Sequence, residues 1–189
     1  MVKLIMITFF LNGGNSGANV LENITYRKNL IASLDSNSNV LFCYFGKPQI
    51  EWDKSFIRDS ENLSSISGKL KFQMAHGIEF ESQCSKAALI IFGGGDTFVL
   101  LEKLKNYPDL LDLIQDKVVA GSSAGACALS KYFYSNDAEK PGNGLGILNL
   151  KIICHYELNK LASVKKLREY KEDLPILSLA EQQFVRIFN

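Results

Sequence analysis

Apolar runs of strand length alternate along this chain with stretches of amphipathic spacing, and that alternation narrows the choice of fold more than any other feature. The runs are Leu4–Leu11, Val40–Phe45, Ala87–Phe92, Lys117–Gly121, Leu150–Cys154 and Ile176–Leu179. They are mostly continuous in their apolarity, as strands covered on both faces are. Between them, helices are expected at Val20–Leu34, Trp52–Ile66, Phe98–Leu104, Leu110–Gln115, Ala124–Lys131 and Asn159–Tyr170. Strand and helix in alternation predict an α/β fold, a mostly parallel sheet with helices on both faces. Glycines gather where the strands end, at Gly13-Gly14, Gly46, Gly93-Gly94-Gly95 and Gly121. In open α/β sheets that carboxyl-terminal edge is where ligands bind. At 189 residues the chain fills one sizeable core and is short for two, so a single domain over 1–189 is expected. The stretch from Ser135 to Leu148, with Pro141, Gly142, Gly144 and Gly146, reads as a surface excursion.

Charge and composition exclude several functions. A formal net charge of +1 leaves no electrostatic footprint for nucleic acid or an anionic membrane. The most basic stretch, residues 165–171, has helical spacing with an acid interleaved and reads as a solvated helix face. The cysteines Cys43, Cys84, Cys127 and Cys154 are scattered, without a Cys-x-x-Cys pair, and three of them sit in apolar surroundings. Buried, reduced thiols and a cytoplasmic location are the expectation. The apolar N-terminus runs into Asn12-Gly13-Gly14-Asn15 without a small-residue cleavage site, so it reads as a core strand and not as a signal peptide. No run approaches the ~18 apolar residues of a membrane span.

The chemistry concentrates in Gly121-Ser122-Ser123-Ala124-Gly125, which follows the apolar pair Val118-Val119 and leads into small helix-forming residues. This is the pattern of a strand-to-helix nucleophile elbow, in which a sharp turn without bulk on either side stands the Ser123 hydroxyl above the sheet edge. The Ala124 amide, at a helix start, then faces any oxyanion formed there. A serine nucleophile needs a base, and the chain has two histidines. His76 carries no flanking signature and reads as structural. His155 directly follows Ile152-Ile153-Cys154, at the strand end that a parallel sheet would share with the elbow. For the carboxylate behind the imidazole, Glu157 is too near in sequence, and Glu181, after another strand, is preferred to Asp137. Ile90–Phe92 runs into Gly93-Gly94-Gly95-Asp96-Thr97, whose glycines bring backbone N–H groups close enough to serve as a second oxyanion donor. No His/Cys/Asp cluster has metal-ligand spacing, so neither metal nor cofactor is expected. Gly13-Gly14-Asn15-Ser16-Gly17 lacks the lysine of a phosphate-binding loop and is set aside.

Together these motifs resemble the dipeptidase E family, the serine-type aspartyl dipeptidases, in order over nearly the whole chain. Phe45-Gly46 with Trp52-Asp53 is similar to the family's second-strand loop. Gly93-Gly94-Gly95-Asp96-Thr97-Phe98 resembles its Gly-Gly-Gly-Asn-Thr-Phe, and Ser123-Ala124-Gly125-Ala126 its Ser-Ala-Gly-Ala. Asn136-Asp137, Cys154-His155 and Leu179-Ala180-Glu181 fall where the family has Asn-Asp, Pro-His and Leu-Pro-Glu. The resemblance implies a class I glutamine amidotransferase-like, flavodoxin-like three-layer sandwich with serine in place of cysteine. It implies a cytoplasmic enzyme, monomer or homodimer, that hydrolyses short peptides through an acyl-enzyme. Ser123 would be the nucleophile, His155 the base and Glu181 its partner, with the Gly95 and Ala124 amides as the oxyanion hole. Gly94, Asp96 and Asp137 would bind substrate or support the site.

The chain departs from the family in three places. The family's downstream motif carries an arginine for the substrate's acidic side chain, and Ser163 stands at that position. Bidentate carboxylate recognition is lost there, leaving Lys165, Lys166 or Arg168 to supply a point charge. Cys154 replaces the proline before the histidine. The sequence stops at Asn189, where relatives continue, which implies a less supported Glu181. The alternatives are another serine hydrolase on the same scaffold, cyanophycinase-like or an esterase or amidase, and an inactive ligand-binding homologue that retains the elbow.

Overall fold

In the computed structural model, which describes residues 7–188, the apolar runs become the strands of two sheets. The first half of the chain forms β1 (Thr8–Asn12), α1 (Leu21–Ile31), β2 (Asn39–Cys43), α2 (Trp52–Ser64), β3 (Lys71–Met74), α3 (Phe80–Lys86) and β4 (Leu89–Phe92). It continues through α4 (Thr97–Leu104), α5 (Leu110–Leu113), β5 (Val118–Ser122) and α6 (Ala124–Leu129). The remainder is β6 (Ser130–Ser135), β7 (Lys140–Asn143), β8 (Leu148–Ile153), α7 (Leu161–Glu169), β9 (Ile176–Ser178) and β10 (Phe184–Phe188). The expected first strand began at Leu4; its residues 4–6 lie outside the described residues.

The larger sheet has the order β10-β1-β5-β4-β2-β3, parallel throughout except for β10, which runs antiparallel to β1. Its apolar runs are continuous because successive residues feed different cores. Phe9, Leu11, Leu41, Cys43, Ile90 and Val119 pack with α3, α4 and α6 on one face. Phe10, Val40, Phe42, Leu89, Val118 and Ala120 pack with α1 and α2 on the other. Helix, sheet and helix form three layers, and the central position of β5 sets the elbow in the middle of the carboxyl edge.

The smaller sheet, β7-β6-β8-β9, was not legible as a separate unit. The elbow helix was expected to run to Lys131, but α6 stops at Leu129 and the chain turns directly into β6. The tyrosines and phenylalanine of Ser130–Ser135 favour extended backbone. Part of the supposed surface excursion is β7, antiparallel to β6. Pro141 is tolerated there because β7 is an edge strand. His155 therefore follows a strand of the second sheet and reaches Ser123 across the molecule instead of along one sheet edge. Among the described residues no helix is long and apolar enough to cross a membrane.

Candidate active site

The elbow is built by close packing. A Cβ on Gly125 would lie 2.1 Å from the Phe92 carbonyl oxygen, and one on Gly121 would lie 2.6 Å from the Ala126 amide nitrogen. Only glycines let β5 turn into α6 against β4 at this distance. Between them Ser123 is held at φ 50°, ψ −108°, a conformation disfavoured for any residue with a side chain. Its amide donates to the Asn12 carbonyl (2.9 Å), which ties the turn to β1.

His155 is also strained, at φ 51°. Its amide donates to the Gly13 carbonyl (2.8 Å), and its own carbonyl accepts from Lys160 Nζ (2.6 Å). Gly14, at φ 133°, packs so closely on the imidazole that a Cβ would lie 2.1 Å from Cε1. The same pair of glycines holds the following loop, with the Gly13 amide on the Gln183 carbonyl and the Gln182 amide on the Gly14 carbonyl. Gly13-Gly14 thus clamps the loops of His155 and Glu181 together, a role that sequence reasoning missed. The available signal was a glycine pair directly after the first strand.

The side chains meet in order. Ser123 Oγ lies 2.8 Å from His155 Nε2, and His155 Nδ1 lies 3.0 Å from Glu181 Oε1. A carboxylate can only accept, so Nδ1 carries the proton and Nε2 is left to accept from the serine hydroxyl. His155 is about a third exposed and Glu181 about half. Asn15 Nδ2 reaches the second carboxylate oxygen at 3.4 Å. After Glu181 the chain enters β10, paired along its length with β1, so the carboxylate is anchored on both sides of its turn. Asn136 Nδ2 donates to the Cys154 carbonyl (2.9 Å), immediately before His155. Cys154 Sγ lies 3.9 Å from Cys127 Sγ and 3.7 Å from the Ser123 carbonyl. The contact with Cys127, together with burial, pushes the Cys154 thiol well above its ordinary range, so it stays a protonated packing group.

A cleft of about 330 Å³ opens over these atoms. Gly94 and Gly95 line it beside Ser123, with Gly95 at φ 140°. Ala124 is buried at the start of α6. Asp137 also lines the cleft and is exposed. Asp96 does not line it. Its carboxylate accepts the amides of Phe98 (2.7 Å) and Val99 (3.0 Å) as the N-cap of α4, so of binding and support the geometry gives it support. Ser163, Lys165, Lys166 and Arg168 lie on α7 and do not line the cleft either. The cations that do are Lys47 and Arg58, which no motif singled out. His76 is exposed, distant from this constellation in the fold, and its amide bonds to Gln83.

A serine on a strand-to-helix turn, facing a histidine backed by a carboxylate at the carboxyl edge of a parallel sheet, is the architecture of a serine hydrolase. The model of peptidase family S51 matches residues 60–189, and the chain belongs to that family. It is a peptidase. Among solved structures it is similar to a peptidase from an acI-B1 Actinobacterium, with a TM-score of 0.76 and 21% identity over 97% of this chain and 84% of that one. It is also similar to a candidate peptidase E protein from Listeria monocytogenes EGD-e, with a TM-score of 0.67 and 16% identity over 97% of this chain and 95% of that one. No curated protein matches the chain.

Proposed function

We propose that the protein hydrolyses short peptides, dipeptides with N-terminal aspartate among them, through an acyl-enzyme on Ser123. The observation that carries this reading is the 2.8 Å contact between Ser123 Oγ and His155 Nε2, with Glu181 behind Nδ1. As the hydroxyl attacks the scissile carbonyl, His155 takes its proton and Glu181 stabilises the imidazolium. The negative oxygen of the tetrahedral intermediate sits between the Gly95 and Ala124 amides. Collapse breaks the peptide bond while His155 protonates the departing amine. Water, deprotonated by the same imidazole, then attacks the ester and frees Ser123. Asp137, the acidic residue among those lining the cleft, receives the substrate's ammonium group in this reading.

The test is hydrolysis of a panel of Asp-X, Asn-X, Glu-X, neutral-X and β-aspartyl-X dipeptides by the wild type and by Ser123→Ala. We expect Ser123→Ala to lower turnover about a thousandfold or more. A fluorophosphonate probe should label the wild type on Ser123 alone. Cleavage confined to β-aspartyl members would move the specificity to the cyanophycinase-like alternative. A wild type that neither cleaves the panel nor takes the label would leave a ligand-binding homologue.

A further inference from the structure

We propose that Arg58, assisted by Lys47, is the element of this cleft that recognises a carboxylate on the peptide substrate. The proposal rests on the peptidase reading above and assigns specificity within the same site. Both cations line the cleft together with Ser123, on elements attached to the larger sheet, whereas Asp137 comes from the end of the smaller one. A short peptide carrying both an ammonium and a carboxylate finds an opposite charge for each. The α7 residues that could have supplied a cation lie elsewhere, and Lys165 is turned to Glu169 at 4.0 Å.

Arg58 is held in place, unlike an ordinary surface arginine. Its Nε and Nη2 both lie 2.8 Å from Asp59 Oδ1, and Asp59 Oδ2 accepts the hydroxyl of buried Tyr44 at 2.9 Å. That hydrogen bond to Asp59 also raises the guanidinium pKa. Asp59 uses one edge of the planar fork. The Nη1–Nη2 edge remains for a second carboxylate, which a planar guanidinium can meet with two parallel bonds. Gly17 makes room for it, because a Cβ there would lie 2.5 Å from Arg58 Nε. A further cation, the buried Arg27, stands nearby, its Nη1 reaching the Ser16 carbonyl at 3.4 Å; burial lowers its pKa and the charge of Asp59 partly offsets this. Asp59 thus orients Arg58, and Lys47 and Arg27 keep cations in excess over this carboxylate. Lys47 is paired only loosely, its Nζ being 3.6 Å from the exposed carboxylate of Glu51, a pair that a substrate carboxylate can displace.

The carboxylate could be an acidic side chain or the peptide's C-terminus, and two substrate pairs separate them. Asp-Leu against Asn-Leu reads the side chain, and Ala-Leu against Ala-Leu-amide reads the terminus. In the wild type, kcat/KM should favour the carboxylate member of at least one pair. Arg58→Ala should shrink that preference about tenfold or more, the scale of a charge-assisted hydrogen bond. Arg58→Lys, which keeps the charge without the fork, should retain part of it. Binding of the same four peptides to Ser123→Ala and to Ser123→Ala/Arg58→Ala gives a reading that needs no turnover. A wild type without peptidase activity would defeat the reading of the reaction, and this binding difference would still decide the role of Arg58. The proposal is overturned if neither pair is discriminated, or if Arg58→Ala weakens both members of each pair equally, as a structural role would.

Discussion

Ser123 ends a strand at the centre of six, with Leu11 and Phe92 in register on either side of Gly121, and every residue of α6 behind it is buried. His155 leaves a sheet of four strands, a third of its side chain open to solvent, and is held by a hydrogen bond to the Gly13 carbonyl, one from Lys160 and the Asn136–Cys154 link. The interiors differ in the same way. The larger sheet buries Phe9, Phe10, Phe42 and Phe92, whereas the smaller buries, beside Phe133, Ile152 and Ile153, the ammonium of Lys151, which donates to the Arg168 and Tyr170 carbonyls at the end of α7. Ser123 is thus fixed mainly by shape, and His155 by directed bonds together with the close packing of Gly14 on its ring. The first arrangement tolerates no added atom. In the second, the bonding side chains tolerate substitution at a loss of aim, since each bond is worth only about 1 kcal/mol net, whereas Gly13 and Gly14 do not.

The sharpest way to break this contrast is Gly125→Ala. The new methyl would meet the Phe92 carbonyl oxygen at 2.1 Å, backbone against backbone, with no flexible side chain to give way. We expect a loss of roughly 3 kcal/mol or more in urea unfolding, together with loss of fluorophosphonate labelling of Ser123. A variant within about 1 kcal/mol of the wild type would show that packing is not what holds the elbow. Lys151→Met makes the matching test in the smaller sheet. It keeps the stem and removes both donors to the end of α7, which should cost about 2 kcal/mol by the same measurement. No loss there would mean that directed bonds contribute little to the smaller sheet.

The contrast also explains what could be read from the residues alone. Strands buried on both faces announce themselves as apolar runs, so β2, β4, β5 and the elbow after β5 were legible. So was the pairing of His155 with Glu181, because each follows such a run. Among the edge strands β9 was legible, within Ile176–Leu179, but β3, β7 and β10 were not. In β3, Lys71-Phe72-Gln73-Met74 alternates in exposure at the rim of the larger sheet, and β7 contains Pro141 and Gly142. Their extended shape comes from pairing with a neighbour and not from their own composition. The division into two sheets was hidden for a related reason, since nothing local at Ser130 says that the next strand will abandon β5. Arg58 was invisible because its placement depends on Tyr44, Asp59 and a bare Gly17 converging in space, without any motif spacing.

Asn136→Ala gives the smallest expected effect on stability and the finest test of the bonded half of the site. Its side-chain amide donates to the Cys154 carbonyl from a partly exposed position, so water can replace the lost donor and unfolding should change by less than about 1 kcal/mol. Aim is a different matter. The Cys154 carbonyl precedes a histidine at φ 51°, and strain of that kind persists only where the surroundings over-determine it. Releasing one restraint should let the imidazole drift from Ser123 Oγ and lower kcat by about tenfold, with KM nearly constant, because the amide of Asn136, although the residue lines the cleft, is engaged by the Cys154 carbonyl. A rise in KM at constant kcat would instead place Asn136 among the binding groups beside Asp137. Unchanged kinetics would mean that Gly13, Gly14 and Lys160 alone fix His155, and the bonded half of the site would then be as over-determined as the packed one.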